Sequence, residues 1–332
     1  PTRDVIISSR VRLARNIAGI PFPVLMDREA AVAAMDRVYE GIMSEHSTLS
    51  EQLEFIPMRD LDELKREILV ERHLVSSDLI KRSDYTGILI DRAEEICIML
   101  NEEDHIRLQC ILPGNQVKKA WDTIDKVDDL VEKSVEYSYD GNLGYITSCP
   151  TNVGTGMRAS VMMHLPALVH VGHINAILQT ISKIGLTARG IYGEGSEALG
   201  HIFQMSNQVT LGPSEEELVT NLEIVVNQIV DKEKAAREAI YKKNGIEFED
   251  NIYRSLGVLM YAKKLHLKEF MALLSQIRLG VSLGIIKDID ILDIDKIMVA
   301  GQPANLKTYA IEHNRSEEDM DVIRAEVVNH LI

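Results

Sequence analysis

Ile96-Cys97-Ile98-Met99-Leu100-Asn101-Glu102-Glu103-Asp104-His105-Ile106-Arg107-Leu108-Gln109-Cys110-Ile111-Leu112 is the stretch on which the reading of the fold turns. An apolar run ends at Leu100, a polar turn follows, and then strict alternation begins. On the second strand Ile106, Leu108, Cys110 and Leu112 face one side, and His105, Arg107 and Gln109 the other. The turn crowds three carboxylates, and mutual repulsion raises their proton affinity. A solvated acidic hairpin and a site facing a cation both fit that tetrapeptide. Just upstream, Gly87-Ile88-Leu89-Ile90 adds a strand with a short connection, so the three predict an antiparallel meander.

The chain has 332 residues, 45% of them hydrophobic, enough for one large domain and a smaller one. Net charge is −15, from 36 Lys and Arg against 51 Asp and Glu. That balance argues against general binding to nucleic acid or anionic membranes. No apolar run reaches the roughly 18 residues of a membrane span, and no signal peptide is visible after Pro1. Cys97, Cys110 and Cys149 are few, odd in number and widely spaced. They predict a reducing, cytoplasmic setting with neither a disulfide frame nor a metal site.

Apolar periodicity predicts helices over 28–52 and 59–71, ending near His73, which is either a ligand or a packing residue. A helix over 117–136 follows, with Trp121 packing it to the sheet. A strand over 144–147 leads into 148–160. Ile174 to Ile184 reads as a helix closed by Gly185, and 202–211 as the last strand. Ser214 and Glu217 are spaced as a capping box for a long helix reaching Lys243. Beyond about 236 strand signals vanish. Helices are expected over 253–264, 267–283, 288–299 and 316–330, with Gly301-Gln302-Pro303 as punctuation. The division is thus 1–235, mixed α+β with a large antiparallel sheet flanked by helices, and 236–332, all α.

Three stretches carry candidate chemistry. In Asp4 to Asn16, Val5 to Ile7 read as a short strand broken by Ser8-Ser9. If the rest is extended, Arg10 and Arg12 share one face about 7 Å apart. Two such guanidiniums suit a phosphate between them, or a solvated basic edge. In 148–160, Gly154 and Gly156 permit close backbone approach to a ligand, and Arg158 follows. This is a phosphate cradle by type, but no Walker A or protein-kinase signature is present. Cys149, amid Thr147, Ser148 and Thr151, is a reactive thiol or plain packing. Finally, 187–196 reads as a Gly-punctuated loop with one Arg and one Glu, either a mobile segment over a site or an ordinary surface loop.

Ser-Ser-Arg-Val-Arg at 8–12, Asn-Glu-Glu-Asp-His-x-Arg at 101–107 and Cys-Pro-Thr-Asn-x-Gly-Thr-Gly-x-Arg-Ala at 149–159, in that order, resemble the motifs of the phosphagen (guanidino) kinase family. The likeness covers about residues 4–236. It implies a glutamine-synthetase-type catalytic fold, and ATP and Mg²⁺ as cofactors. Arg10, Arg12, Arg107, Arg158 and Arg189 match the family's ATP-phosphate clamp. His73 matches a nucleotide-contacting histidine, and Ser8, Ser9, Val11, Ala159, Ser160, Val161, Met162, Gly190, Ile191, Tyr192 and Gly193 flank these groups on the same motifs. Glu103 matches the catalytic carboxylate, Glu194 a second one on a flexible loop, and Cys149 the reactive cysteine.

The family's small helical domain for free creatine or arginine is expected to be missing, with a helical C-terminal extension present. With Arg-Gly-Ile-Tyr-Gly-Glu at 189–194, this resembles the family's bacterial branch that phosphorylates arginine in proteins. That branch carries Arg-Asp-x-x-Arg-Ala as an allosteric phosphoarginine pocket. Here the stretch reads Met320-Asp321-Val322-Ile323-Arg324-Ala325, so Asp321 and Arg324 are in place and Met320 replaces one arginine. The resemblance implies a homodimer, a role in marking proteins for regulated proteolysis under stress, and as partners the activator McsA, the ClpC–ClpP protease and the repressor CtsR. Two alternatives remain at this point: a kinase of free guanidino compounds, and a non-catalytic phosphoarginine-binding adaptor.

The chemistry explains the pattern. A guanidinium has a pKa above about 12, so its neutral form is on the order of 10⁻⁵ to 10⁻⁶ of the population at pH 7. A carboxylate must orient it and accept a proton as the N–P bond forms. The transferred phosphoryl needs cations around its equatorial oxygens. Carboxylates address the acceptor, and arginines address the donor.

Overall fold

The computed structural model describes residues 2–44, 50–192, 198–315 and 318–332, with the backbone alone at 191 and 192. In chain order the elements are β1 Ile6–Arg15, α1 Arg28–Ser44, β2 Leu53–Pro57, α2 Glu63–Glu71, α3 Ser77–Lys81, β3 Gly87–Asp91, β4 Ile96–Leu100, β5 Ile106–Pro113 and α4 Val117–Glu132. Then come β6 Tyr139–Asp140, β7 Gly144–Tyr145, β8 Met157–His164, α5 Pro166–His170, α6 Ile174–Ser182, β9 Leu186–Tyr192 and β10 Ala198–Asn207. Helices α7 Glu215–Tyr261, α8 Leu267–Ser282, α9 Ile291–Ala300, α10 Pro303–Glu312 and α11 Met320–Leu331 complete the chain. Among the described residues no helix is long and apolar enough to cross a membrane.

Eight strands form one sheet in the order β2-β3-β4-β5-β1-β8-β10-β9. The predicted meander is present, with β3, β4 and β5 pairing antiparallel in succession. The chain divides into two compact units: residues 8–160 with 206–223, and residues 1–7 with 161–205 and 224–332.

In the first of these, Met58, Leu74, Leu79, Ile88, Cys97 and Met99 form a core on one sheet face. Strand β1 is continuous where a break at Ser8-Ser9 was expected. Its hydroxyl at Ser9 donates to Gly114 O at 2.7 Å and accepts from Gln116 N at 3.0 Å, so a polar residue is buried at no cost in unmade hydrogen bonds. Arg15 is buried as well. Its guanidinium is held by Asp128 at 2.6 Å and lies 3.6 Å from the centre of the Tyr145 ring. Trp121 meets the same network, donating to Glu215 at 2.9 Å, rather than simply packing α4 onto the sheet.

The second unit holds a larger apolar core built around Ile252, Phe270, Leu274, Ile277 and Ile297. Glu233 is fully buried, and its carboxylate accepts from Ala167 N, Leu168 N and Arg237 Nε. That satisfaction on every side is what makes a buried ion pair tolerable.

Several boundaries differ from the periodicity reading. Of the helix expected over 28–52, Arg28–Ser44 is helical, while Ser50–Gln52 form a 3-10 turn that leads into the unpredicted strand β2. The helix expected from 59 starts at Glu63, with Asp62 as its N-cap. The segment 187–196, read as a loop, is strand β9 through Tyr192, and the strand over 144–147 shrinks to two residues. Helix α10 is not among the expected helices, because Gly301-Gln302-Pro303 reads as punctuation. Proline is equally at home in a first helical turn, which is where it sits. The capping box is real, with Ser214 N donating to Glu217 and Glu217 N to Ser214 Oγ. The long helix breaks at Asn244, which has non-helical angles.

Candidate active site

The site is built on one face of the β1–β5 pair. Arg12 lies opposite Gln109 and Arg10 opposite Ile111. Alternation therefore puts Ser8, Arg10 and Arg12 on the same face as Arg107 and Gln109, while Ser9 and Val11 point to the other side. Gln109 donates to the carbonyls of His73 and Leu74, both at 3.0 Å, and so holds that corner over the arginines. His73 has φ of 60°, a left-handed conformation uncommon for a side chain of its size. Such strain persists only where the surroundings impose it. Arg158 reaches the same place from β8 and hydrogen-bonds Ser206 Oγ at 3.1 Å.

The electrostatics show that the four guanidiniums converge. Burial, then the charges of Arg107 and Arg158, push Arg10 down to about 10. Burial and the charges of Arg10, Arg107 and Arg158 push Arg12 well below its ordinary value, with Glu102 opposing. A guanidinium stays charged at neutral pH regardless. The downward push therefore reflects burial first, and beside it the positive charge of neighbouring arginines. Nε of Arg10 and Nε of Arg12 are both buried without a hydrogen-bond partner among the described residues. Unmade bonds of this kind ask for an anion.

The acidic turn resolves into three different carboxylates. Glu102 is buried and paired with Arg107. Burial works to raise its proton affinity, but the charge of Arg107 and hydrogen bonds from Ser76 and Arg107 prevail, holding it below the usual value. Asp104 is buried too, accepting from Asn16 Nδ2 at 2.6 Å and Ser148 N at 2.7 Å. Only Glu103 is left open to solvent. Burial and the neighbouring charge of Asp104 raise its proton affinity. Asn101 closes the hairpin through its N–H to His105 O, adopts φ of 59°, and donates its side chain to Ala31 O and Tyr85 O. His105 accepts from Ile17 N on Nδ1, so its proton sits on Nε2 and is donated to Pro21 O at 2.9 Å.

Arg12, Arg107, Glu102 and Glu103 open into one cavity of about 580 Å³. Ser76, Asp78 and Arg82 from the α3 segment, with Val24 and Ser148, complete its wall. Sequence reasoning did not single out these five. Ser76 alone carried a local signal, as the N-cap of α3, its Oγ accepting from Leu79 N.

The remaining predicted residues are distributed as follows. Cys149 is half-buried, its thiol 3.0 Å from Thr151 Oγ1. Gly154 and Gly156 do approach backbone closely, but it is the protein's own. A Cβ at Gly154 would lie 2.2 Å from Thr210 O, and one at Gly156 2.6 Å from Ala14 O. Ala159 and Ser160 are buried on β8, with Ala159 N donating to Asn207 Oδ1 and Ser160 Oγ to Arg10 O.

Val161, Met162, Arg189, Gly190, Ile191 and Tyr192 belong to the other unit, Met162 against its apolar core. Gly193 and Glu194 lie outside the described residues. On α11, Arg324 is buried, donating to Gly301 O at 2.9 Å and Leu265 O at 2.8 Å and pairing with Asp321. Met320 packs on the small cluster of Leu306 and Ile323.

Burial, then the charge of Arg10, pushes His73 down to about 4. A base with a depressed folded value stays neutral while the unfolded chain takes up a proton. Its contribution to stability is therefore intact above about pH 6.5 and is lost as pH falls toward 4, by at most about 3 kcal/mol. His73→Gln is expected to flatten that part of a urea-unfolding profile between pH 6.5 and 4, and an unchanged acid slope would contradict it.

Two family models match the chain: the C-terminal catalytic domain of ATP:guanido phosphotransferase over residues 34–236, and the C-terminal domain of protein-arginine kinase McsB over residues 245–332. A protein-arginine kinase of Caldanaerobacter subterraneus subsp. tengcongensis is 48% identical over 328 residues, 98% of this chain and 96% of its own. One from Geobacillus stearothermophilus is 46% identical over 333 residues, covering 99% and 90%. Among solved structures, lombricine kinase matches with a TM-score of 0.62 at 23% identity over 71% of this chain and 68% of its own, a likeness of fold. The duplicated taurocyamine kinase from Schistosoma mansoni, with transition state analog components bound, matches with a TM-score of 0.60 at 26% identity over 71% and 33%. The chain thus belongs to the ATP:guanido phosphotransferases, in their protein-arginine kinase branch.

Proposed function

We propose that this chain transfers the γ-phosphoryl group of ATP to arginine side chains of proteins, with Glu103 as base and Arg10, Arg12, Arg107 and Arg158 as the phosphate cage. The observation that carries the reading is the group of four mutually repelling guanidiniums. Two of them have unpartnered Nε atoms, and two open into the same cavity as Glu103. A triphosphate supplies the missing negative charge, and its equatorial oxygens are the natural partners of the forks.

In the proposed step an acceptor nitrogen attacks the γ-phosphorus in line and the bond to the β–γ bridging oxygen breaks. ADP leaves with that electron pair, and the guanidinium proton passes to Glu103 as the N–P bond forms. The raised proton affinity of Glu103 makes it a better base than an ordinary carboxylate, and concerted assistance of this kind contributes about 10²–10⁴-fold. Glu102, tied to Arg107, is unsuited to that task. We assign Glu194 as a second carboxylate for the acceptor, Arg189 as a fifth phosphate ligand, His73 and the flanks of these motifs as nucleotide contacts, and Cys149 as the reactive thiol of the site. Mg²⁺ is proposed to enter on the triphosphate, held by phosphate oxygens and water, as suits an ion that dehydrates reluctantly. Among the described residues no three His, Cys, Asp or Glu side chains are grouped to hold a metal ion.

The finer readings rest on kinship. They comprise a phosphotransferase domain over 1–235, a dimerising helical domain over 236–332 with Met320, Asp321 and Arg324 at its phosphoarginine corner, and a cytoplasmic homodimer. They also comprise partnership with McsA, ClpC–ClpP and CtsR in marking proteins for stress-related proteolysis.

Incubation with ATP–Mg²⁺ and an unfolded basic protein, followed by mass spectrometry without acid, is expected to find phosphate on arginine side chains. Phosphate on serine, or on free arginine only, would overturn the reading.

A further inference from the structure

The loop between β1 and α1 brings an apolar side chain to the wall of the Glu103 cavity. Among the described residues that line it, Val24 is the apolar one. Val24 is 65% exposed and its neighbour Leu25 76%. Single exposed apolar residues are ordinary, but these two are fixed in place. Prolines 21 and 23 stiffen the loop, Leu25 N closes a turn onto Phe22 O at 2.8 Å, and His105 of the acidic turn grips Pro21 O at 2.9 Å. The same imidazole accepts from Ile17 N at 3.1 Å. One residue therefore ties the base-bearing turn to the loop that carries the apolar pair.

We propose that Val24 and Leu25 form an apolar lip on the acceptor side of the cavity, selecting arginines that stand beside an apolar side chain in an extended, locally unfolded segment of polypeptide. The inference rests on the protein-arginine kinase reading and names the substrate class within it. The occupant follows from continuity with the cavity. An arginine whose guanidinium reaches Glu103 trails its own backbone across the mouth, with flanking side chains spaced at about 3.3 Å per residue. A charged neighbour would gain nothing against Val24 and Leu25, whereas an apolar one removes both itself and the lip from water. In a folded protein such a neighbour is usually buried, so the lip favours segments that have opened. Binding of one apolar group to a site of this kind typically changes kcat/KM by about 10-fold or somewhat more.

The test uses two neutral peptides, identical except that the arginine is flanked by leucine in one and by serine in the other, phosphorylated by the full chain under saturating ATP–Mg²⁺. Wild type is expected to favour the leucine peptide about 10-fold in kcat/KM. Val24→Ser combined with Leu25→Ser is expected to bring that ratio near 1, and the isosteric Val24→Thr to an intermediate value. Equal rates on both peptides in wild type, or an undiminished preference in the double variant, would overturn the lip while leaving the kinase intact. Failure of wild type on both peptides and on the unfolded protein would remove the kinase reading, and this inference with it.

Discussion

Glu103→Gln is expected to lower kcat by at least about two orders of magnitude while ATP binding, followed by isothermal titration, stays within a few-fold of wild type. The expectation comes from how the turn divides its three carboxylates. Asp104 is consumed by Asn16 and Ser148, and Glu102 is consumed by Arg107, so neither is free to take a proton from the acceptor. Glutamine preserves the shape of Glu103 and removes only its basicity, and it leaves the pairings of Glu102 and Asp104 untouched. The fold and the cage should therefore survive. Wild-type turnover in this variant would take Glu103 out of the reaction altogether, and loss of ATP binding would mean that it supports the cage instead.

Arg12→Met is expected to cost about 10²–10³-fold in kcat/KM for ATP, the usual loss when one preorganised donor to developing charge is removed. Its second effect has the opposite sign. Arg12 is disfavoured in the free protein by burial and by three neighbouring cations. An apolar side chain of similar length should raise the melting temperature, by roughly 2–4 °C for a gain on the order of 1 kcal/mol. Glu102 keeps Arg107, so the substitution does not strand a buried carboxylate. Steady-state kinetics reads the first quantity and calorimetry without nucleotide the second. A variant that melts well below wild type would contradict the claim that the cage is held under repulsion in wait for an anion. The trade of stability for activity is a common property of sites preorganised for charge.

Much of this was legible before any coordinates. The meander over 87–112 announced itself through two short apolar runs, which are buried on both faces in β3 and β4, followed by the period-2 alternation of β5. Arginines 10 and 12 were legible as a pair on one strand face, and Arg107, Arg158 and Arg189 joined them only through the resemblance of their motifs; the first four do meet. The misreadings have local causes. Ser8-Ser9 looked like a break because the partners of the Ser9 hydroxyl lie more than 100 residues away. Segment 187–196 looked like a loop because its glycines outweigh Leu186 and Ile191 in any short window, while β9 takes its place in the sheet from the fold. Within the acidic turn, sequence sees three similar carboxylates. Only the register of β1 against β5 and the approach of α3 decide which is buried, which is bonded and which is left open. For the same reason Ser76, Asp78 and Arg82 were invisible as cavity residues.

The single imidazole at His105 gives the molecule a built-in acid fuse. Its Nδ1 must stay bare to receive the amide hydrogen of Ile17 while Nε2 gives its own to Pro21. Burial lowers the proton affinity of the ring below its ordinary value. Once a second proton is forced on, two hydrogens point at each other and the turn loses its brace. The descending acid side of a rate profile would then record the failure of the scaffold as a one-proton step of its own, beside the neutralisation of the catalytic carboxylate.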